Sequence, residues 1–209
     1  MRTKTFFIGI TACFAFSWIG LAVLPNGQLG GLGPQIDEEA GEVFPLDING
    51  LVERGRTVYV SQGCVHCHTQ VVRDGFNGGE LSRQWGVRRT VPRDYIYGSP
   101  ALGDTRNGPD LANVGARITD AQWHYQHLYD PRSVFPKSFM PSFRHLFSVK
   151  KVTGQISEDA VKVTGKYAPA EGMQVVPSPD AKALVAYLLS LDHSYSLQEA
   201  PAKKEEAAK

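Results

Sequence analysis

Gln62-Gly63-Cys64-Val65-His66-Cys67-His68-Thr69-Gln70 is the stretch that decides how this 209-residue chain is read. Cys64, Cys67 and His68 form Cys-x-x-Cys-His, the pattern of a c-type haem attachment site. Cysteines three apart reach the two vinyl groups of one porphyrin and form two thioethers. The adjacent His68 is then held beneath the iron as its proximal ligand. Two other uses of paired cysteines fit less well. A zinc site needs a second Cys/His pair at finger-like spacing, and the remaining cysteine, Cys13, lies in an apolar run. A dithiol redox motif needs no histidine and usually sits in a βαβ pattern, which is not seen here.

Upstream of the motif, Asn49 to Gln62 reads as a helix. Leu51, Val58 and Tyr59 fall near one face with Gly55 on the same side, where a missing side chain lets another helix approach. Before it, Pro25 to Pro34 is Gly-rich, and Asp37, Glu38, Glu39 and Glu42 are acidic. Residues 25–48 are therefore expected to be a linker lying on a partner or on a membrane surface. Phe6 to Leu24 carries no charge. It is long enough to span a bilayer, which takes about 20 apolar residues. Arg2 and Lys4 precede it and place the N-terminus in the cytoplasm and the remainder outside. A cleaved signal peptide would have a shorter apolar region and a small-x-small site. A lipoprotein site at Ile10-Thr11-Ala12-Cys13 leaves too few apolar residues before the cysteine. A retained anchor over 1–24 is the better reading, with Cys13 an inert buried thiol.

Downstream, residues 73–100 have no clear period and read as a loop around the haem edge. Arg83, Arg88, Arg89 and Arg93 are set against haem propionates, an acidic partner or plain solvent. Asn107-Gly108-Pro109-Asp110-Leu111 is a turn followed by an apolar residue. Thr119-Asp120 caps a short helix from Ala121 to Tyr129, which ends before Pro131. Trp123 and His127 share a face of that helix. Trp123 is either core or a haem-edge hydrogen-bond donor. His124, His127, His145 and His193 are further potential ligands, although most lone histidines are not ligands. Phe139-Met140-Pro141 lies in a loop stiffened by Pro136 and Pro141, which suits presentation of a weak thioether ligand at fixed geometry. The rival is Met173, in Glu171-Gly172-Met173-Gln174. Residues 146–177 are polar, and Lys151-Val152-Thr153-Gly154 and Lys162-Val163-Thr164-Gly165 suggest a β-hairpin or excursion. Ser178-Pro179-Asp180 starts a helix running to about Leu191, with Leu184, Tyr187, Leu188 and Leu191 on its apolar face. Residues 198–209 read as a disordered charged tail.

Composition bounds these readings. A formal net charge of +1 with no basic stripe argues against a nucleic-acid partner. A hydrophobic content of 42% is ordinary for a globular protein, so any membrane part is small.

Taken together, a helix, Cys-x-x-Cys-His, Gly-Pro-x-Leu, a Met-Pro loop and a closing amphipathic helix resemble a class I cytochrome c domain. The fold class expected is mostly α, with an N-terminal transmembrane helix and an irregular or β-hairpin insertion. The domains expected are 1–24 anchor, 25–48 linker, 49–197 cytochrome c domain with 146–177 as an extension, and 198–209 tail. The segment Cys64 to Arg73 resembles the haem segment of the monohaem subunit II of cbb3-type cytochrome c oxidases. Gly108 to Arg117, Trp123 to Leu128, Asp130-Pro131-Arg132 and Pro136 to Pro141 are similar to that family as well. Asp74 stands where a Pro is usual, and Asn107 where a Thr is usual.

The resemblance implies one haem c with thioethers at Cys64 and Cys67, and with His68 and Met140 as axial ligands. It implies that the Pro109 carbonyl accepts the other N–H of His68, that Leu111 packs on the haem face, and that Gly55 and Tyr187 meet where the first and last helices cross. Arg106 and Trp123 join Pro109 and Leu111 in the expected haem pocket. The implied function is electron transfer rather than catalysis by this chain alone. Electrons would come from a dihaem cytochrome c subunit or a soluble cytochrome c. They would pass to the catalytic haem-copper subunit I of a terminal oxidase in aerobic respiration. The implied location is the bacterial inner membrane, single-pass, with the haem domain on the periplasmic side. Two other functions compete: the anchored cytochrome subunit of a nitric oxide reductase, and a haem sensor or peroxidase-like protein with an open iron.

Overall fold

The computed structural model describes residues 3–38, 41–48, 50–76, 78–83, 85–86 and 88–201. Arg2, Glu39, Asn49 and the tail from 202 onward, all invoked above, lie outside the described residues. The chain divides into two compact units, Met1–Pro45 and Leu46–Lys209.

In the first unit, Thr3–Leu29 is one helix of 27 residues, long and apolar enough to cross a membrane. At 1.5 Å per residue it is about 40 Å long. It consists of α1 (Thr3–Trp18), a π-helical turn (Ile19–Val23) and α2 (Leu24–Leu29). The expected end at Leu24 is therefore corrected: Pro25 does not stop the helix. Proline lacks an N–H and crowds the carbonyl four residues back. The π turn changes the bonding there, with the Leu24 N–H donating to the Ile19 carbonyl, and Pro25 falls in the first turn of α2. Cys13 is exposed on this helix rather than buried by protein. The expected linker is also not featureless. β1 (Gln35–Asp37) and β2 (Glu42–Phe44) pair antiparallel, with Ile36 opposite Val43. Gly41 at φ 68° makes the reversal, and its N–H donates to the Asp37 carbonyl at 2.8 Å.

The second unit is built on the crossing of α3 (Gly50–Ser61) and α8 (Pro179–Ser190). α3 buries Gly55, Val58 and Tyr59, whereas Leu51, expected on that face, is exposed and Val52 packs inward instead. α8 begins as read. The Ser178 hydroxyl accepts from the Ala181 N–H, Pro179 occupies the first turn, and Leu184, Tyr187 and Leu188 are buried. A Cβ at Gly55 would overlap the Ala183 carbonyl, so glycine is what allows the two backbones to touch. Tyr59 and Tyr187 pack beside the crossing with ring centroids 5.5 Å apart.

The segment read as loop over 73–100 contains α4 (Pro92–Tyr97), which has Pro92 in its first turn and the Asp94 carboxylate accepting from the Val91 N–H at 3.0 Å. Its basic residues mostly have partners inside the chain. Arg88 forms a two-pronged ion pair with Asp94 at 2.6 and 2.7 Å, both side chains only 2% exposed. Arg93 pairs with Glu199, Arg89 with Asp74, and Arg83 lies over the Trp85 ring. Glu199 thereby ties down the start of what was expected to be a disordered tail.

α5 (Val114–Arg117), α6 (Ala121–Tyr129) and α7 (Pro131–Val134) follow. α6 has the expected bounds, with Asp120 as its cap. Within 146–177, β3 (Phe147–Lys151) pairs antiparallel with β4 (Met173–Pro177). The hairpin expectation holds, but its arms are not the two Lys-Val-Thr-Gly pieces. The second piece follows Val161, which makes a single bridge to Val175.

Two stability predictions follow from this packing. Gly55→Ala should destabilise the second unit by about 3 kcal/mol through overpacking at a backbone contact, read by denaturant unfolding. Removing one partner of the buried pair by Asp94→Ala should cost about 3–5 kcal/mol. Burial alone raises the Asp94 carboxyl. The Arg88 hydrogen bonds, the His193 and Arg88 charges and the Val91 N–H outweigh burial and hold it below the usual carboxylate range. A depressed carboxyl contributes stability above its unfolded value, and that stability is lost as pH falls through the folded one. Wild-type midpoints should therefore fall on acidification below about pH 4, and this part of the loss should vanish in Asp94→Ala.

Candidate haem site

Gly63 at φ 74° ends the run from α3 and starts the 3₁₀ turn Cys64–His66. The His68 N–H donates to the Cys64 carbonyl at 2.9 Å, so cysteines and histidine are presented from one tight turn. Cys64 and Cys67 are both half-buried, and neither is in a disulfide. Burial raises the Cys64 thiol to about 12, so it stays protonated at neutral pH.

Across from this turn runs the segment 105–112. His68 Nδ1 is 2.8 Å from the Pro109 carbonyl oxygen and donates to it. That contact leaves Nε2 as the nitrogen free to act as a ligand. Burial lowers the His68 pKa, and the Pro109 carbonyl works against it. The net direction favours the neutral imidazole that a metal requires. Backbone bonds lie on either side of this contact: Gly108 N–H to the Cys67 carbonyl and Leu111 N–H to the Thr69 carbonyl, both 2.8 Å. A Cβ at Gly108 would overlap the His68 ring, and one at Gly103 (φ 76°) would overlap the His68 carbonyl. Both glycines are needed for close approach to the histidine.

Met140 packs against the main core alongside Cys64, Val65 and Leu111. Its loop is held by Ser138 N–H to the Phe135 carbonyl at 2.8 Å and by the Met140 N–H to Ser138 Oγ at 3.2 Å. Met173 is the first residue of β4, paired with Lys151, and belongs to the strand pair rather than to this core. The donor set thus fits one haem: two thiols and an oriented imidazole on one turn, with a thioether on the same core.

Residues 38–171 match the family described as cytochrome c oxidase, mono-heme subunit/FixO. The chain belongs to that family. It is a mono-haem subunit of a cytochrome c oxidase complex, and its chemistry is electron transport. The resemblance read from the haem segment names the same family, and the match extends beyond the motifs at both ends. None of the curated proteins matches the chain.

The other site residues of this FixO-family chain sort clearly. Leu111 packs on the core as expected. Trp123 stacks on His127, centroids 4.9 Å apart, with Phe135 edge-on to both. His127 is pushed down to about 4, first by burial and then by the His68 and His124 charges, and its buried Nδ1 has no hydrogen-bond partner. His124 and His145 have structural partners: Nε2 of His124 meets the Ile118 carbonyl at 2.8 Å, and Nε2 of His145 meets Gln62 Oε1 at 2.7 Å. His193 packs on Tyr195. Arg106 bonds to the Val71 carbonyl and pairs with Glu80, which is also paired with Arg73.

Three residues near the site went unassigned in the sequence. Gln70 Oε1 accepts from Tyr187 Oη at 2.9 Å and from the Ala101 N–H at 2.8 Å, joining the haem segment to α8. Asp110 and Thr69 are buried against each other. The available signal was the polarity of Gln70 and Thr69 immediately after the histidine, and of Asp110 between Pro109 and Leu111.

Gly108→Ala should displace the His68 ring from the Pro109 carbonyl. The expected outcome is a severalfold fall in haem per protein, measured by Soret-to-protein absorbance, with helix content by circular dichroism little changed.

Proposed function

We propose that this chain is a membrane-anchored, monohaem c-type electron-transfer subunit that delivers electrons to the haem-copper catalytic subunit of a cbb3-type terminal oxidase. The observation that carries this is the His68–Pro109 contact, seated on the Cys64–Cys67 turn within a chain of the mono-haem oxidase family. The electron donor in this reading is a dihaem cytochrome c subunit or a soluble cytochrome c.

Haem supplies one-electron chemistry when bound, and its axial ligands set the potential. Cys64 and Cys67 hold it covalently. His68 ligates through Nε2 while Pro109 fixes the ring plane and increases ligand basicity. Met140 would supply the second axial ligand, and an iron held by both side chains would exchange electrons rather than bind substrate. Leu111 and Trp123 line the pocket, and Arg106 supports the segment behind His68. The helix Thr3–Leu29 anchors the chain in the inner membrane with Lys4 on the cytoplasmic side and the haem domain in the periplasm. The nitric oxide reductase alternative does not account for the Trp123-to-Met140 block, which lies inside the oxidase family match.

The ligand substitutions test this reading. Met140→Ala should open the iron, lower the potential and abolish the methionine–iron charge-transfer band of the oxidised protein. Met173→Ala should leave all three unchanged. Met140→His should keep six-coordination at a markedly lower potential. In the detergent-purified complex, Met140→Ala should stop electron flow into the catalytic subunit with assembly intact. Loss of the band in Met173→Ala but not in Met140→Ala overturns the ligand assignment, and a wild-type iron that binds exogenous ligands overturns the electron-transfer reading.

A further inference from the structure

We propose that Asp110 is the positioning residue for the proximal ligand: its carboxylate sets the plane of the Pro109–Asp110 peptide and thereby tunes the donor strength of His68. The inference rests on His68 being the proximal ligand, as proposed above.

Asp110 is 0% exposed, yet its carboxylate is well satisfied. Oδ2 accepts from Thr69 Oγ1 at 2.6 Å, from the Val71 N–H at 2.9 Å and from Arg106 Nη2 at 3.3 Å. Oδ1 accepts from the Ala112 N–H at 2.8 Å. Thr69 and Val71 are one and three residues beyond His68, and Pro109 directly precedes Asp110. The carboxylate therefore links the chain that carries the imidazole to the residue next to the carbonyl that receives its N–H.

A peptide unit is planar, so the direction of the Pro109 carbonyl is set by the Cα atoms on its two sides. Pro109 has no N–H of its own with which to be tied down. The flanking bonds from Gly108 and Leu111 fix where the segment runs. The carboxylate fixes how Asp110 is rotated within it. A short, aligned carbonyl on Nδ1–H makes the imidazole a stronger donor and favours oxidised iron. Loosening the carboxylate should thus weaken that bond and raise the potential.

Removing the Asp110 charge also raises a potential, so the decisive variant leaves the charge in place. Thr69→Val deletes the hydroxyl that donates to Oδ2 at nearly constant volume, and Thr69→Ser keeps it. The full-length haem-loaded protein in detergent is measured by redox titration. Exchange of the His68 Nδ1 proton is followed by NMR in the reduced state. Thr69→Val should raise the potential and speed the exchange about tenfold, and Thr69→Ser should match wild type. If Thr69→Val fails to load haem, Thr69→Ala gives the same readouts without added bulk. Unchanged potential and exchange in the hydroxyl-less variant, with Asp110→Asn alone raising the potential, overturns the proposal and leaves a purely electrostatic role. A wild-type protein without His68 ligation fails at the earlier step, which the wild-type spectrum shows separately.

Discussion

The hydrogen bond from His68 Nδ1 to the Pro109 carbonyl is the constraint on which the rest of the haem domain depends. It joins residues 41 positions apart, and everything that must be in register for it is costly to obtain otherwise. Gly108 must lack a side chain to let the ring in, and Gly103 must adopt a positive φ beside the His68 carbonyl. The turn from Gly63 must present both thiols and the imidazole together. Gln70 then passes the register on to α8 through Tyr187, so the helix crossing and the histidine are held by one continuous set of contacts.

Charge in this domain serves mainly to close loops. A net charge of +1 hides a dense internal pairing of arginines with carboxylates. Arg88 with Asp94 holds α4 in place, and Arg93 with Glu199 brings the C-terminal segment back to it. Arg73 and Arg106 share the buried Glu80. Buried pairs of this kind add little net stability over an apolar replacement, yet breaking one is expensive. That asymmetry suits a long irregular stretch that has to take one conformation without a regular ladder of backbone bonds.

Most of the site was legible because the chemistry imposes local spacing. Cys64, Cys67 and His68 are adjacent in sequence, Pro109 sits in a recognisable turn, and α6 and α8 carry caps at Asp120 and Ser178. The long apolar helix was legible too, apart from its end: the π turn at Ile19–Val23, which lets the helix run through Pro25, has no sequence signature. The internal pairing of Arg88 and Arg93 was not legible because an ion-pair partner such as Asp94 or Glu199 cannot be identified until the chain is folded, whereas Arg83 and Arg89 are exposed, as the solvated alternative had it. The repeated Lys-Val-Thr-Gly pieces suggested the wrong hairpin arms, since two short matches say nothing about register. Asp110 and Thr69 escaped notice for the same reason as the arginines: each is an ordinary polar residue until the two segments meet.

The central claim is that one haem is bound covalently at the Cys64–His68 turn. Mass spectrometry of the intact protein, followed by its proteolytic fragments, tests this most directly. The account predicts a single added haem mass that survives acid–acetone extraction and localises to the fragment containing both Cys64 and Cys67. Free thiols, a Cys64–Cys67 disulfide or bound zinc in a protein matured with its haem-attachment machinery would contradict it.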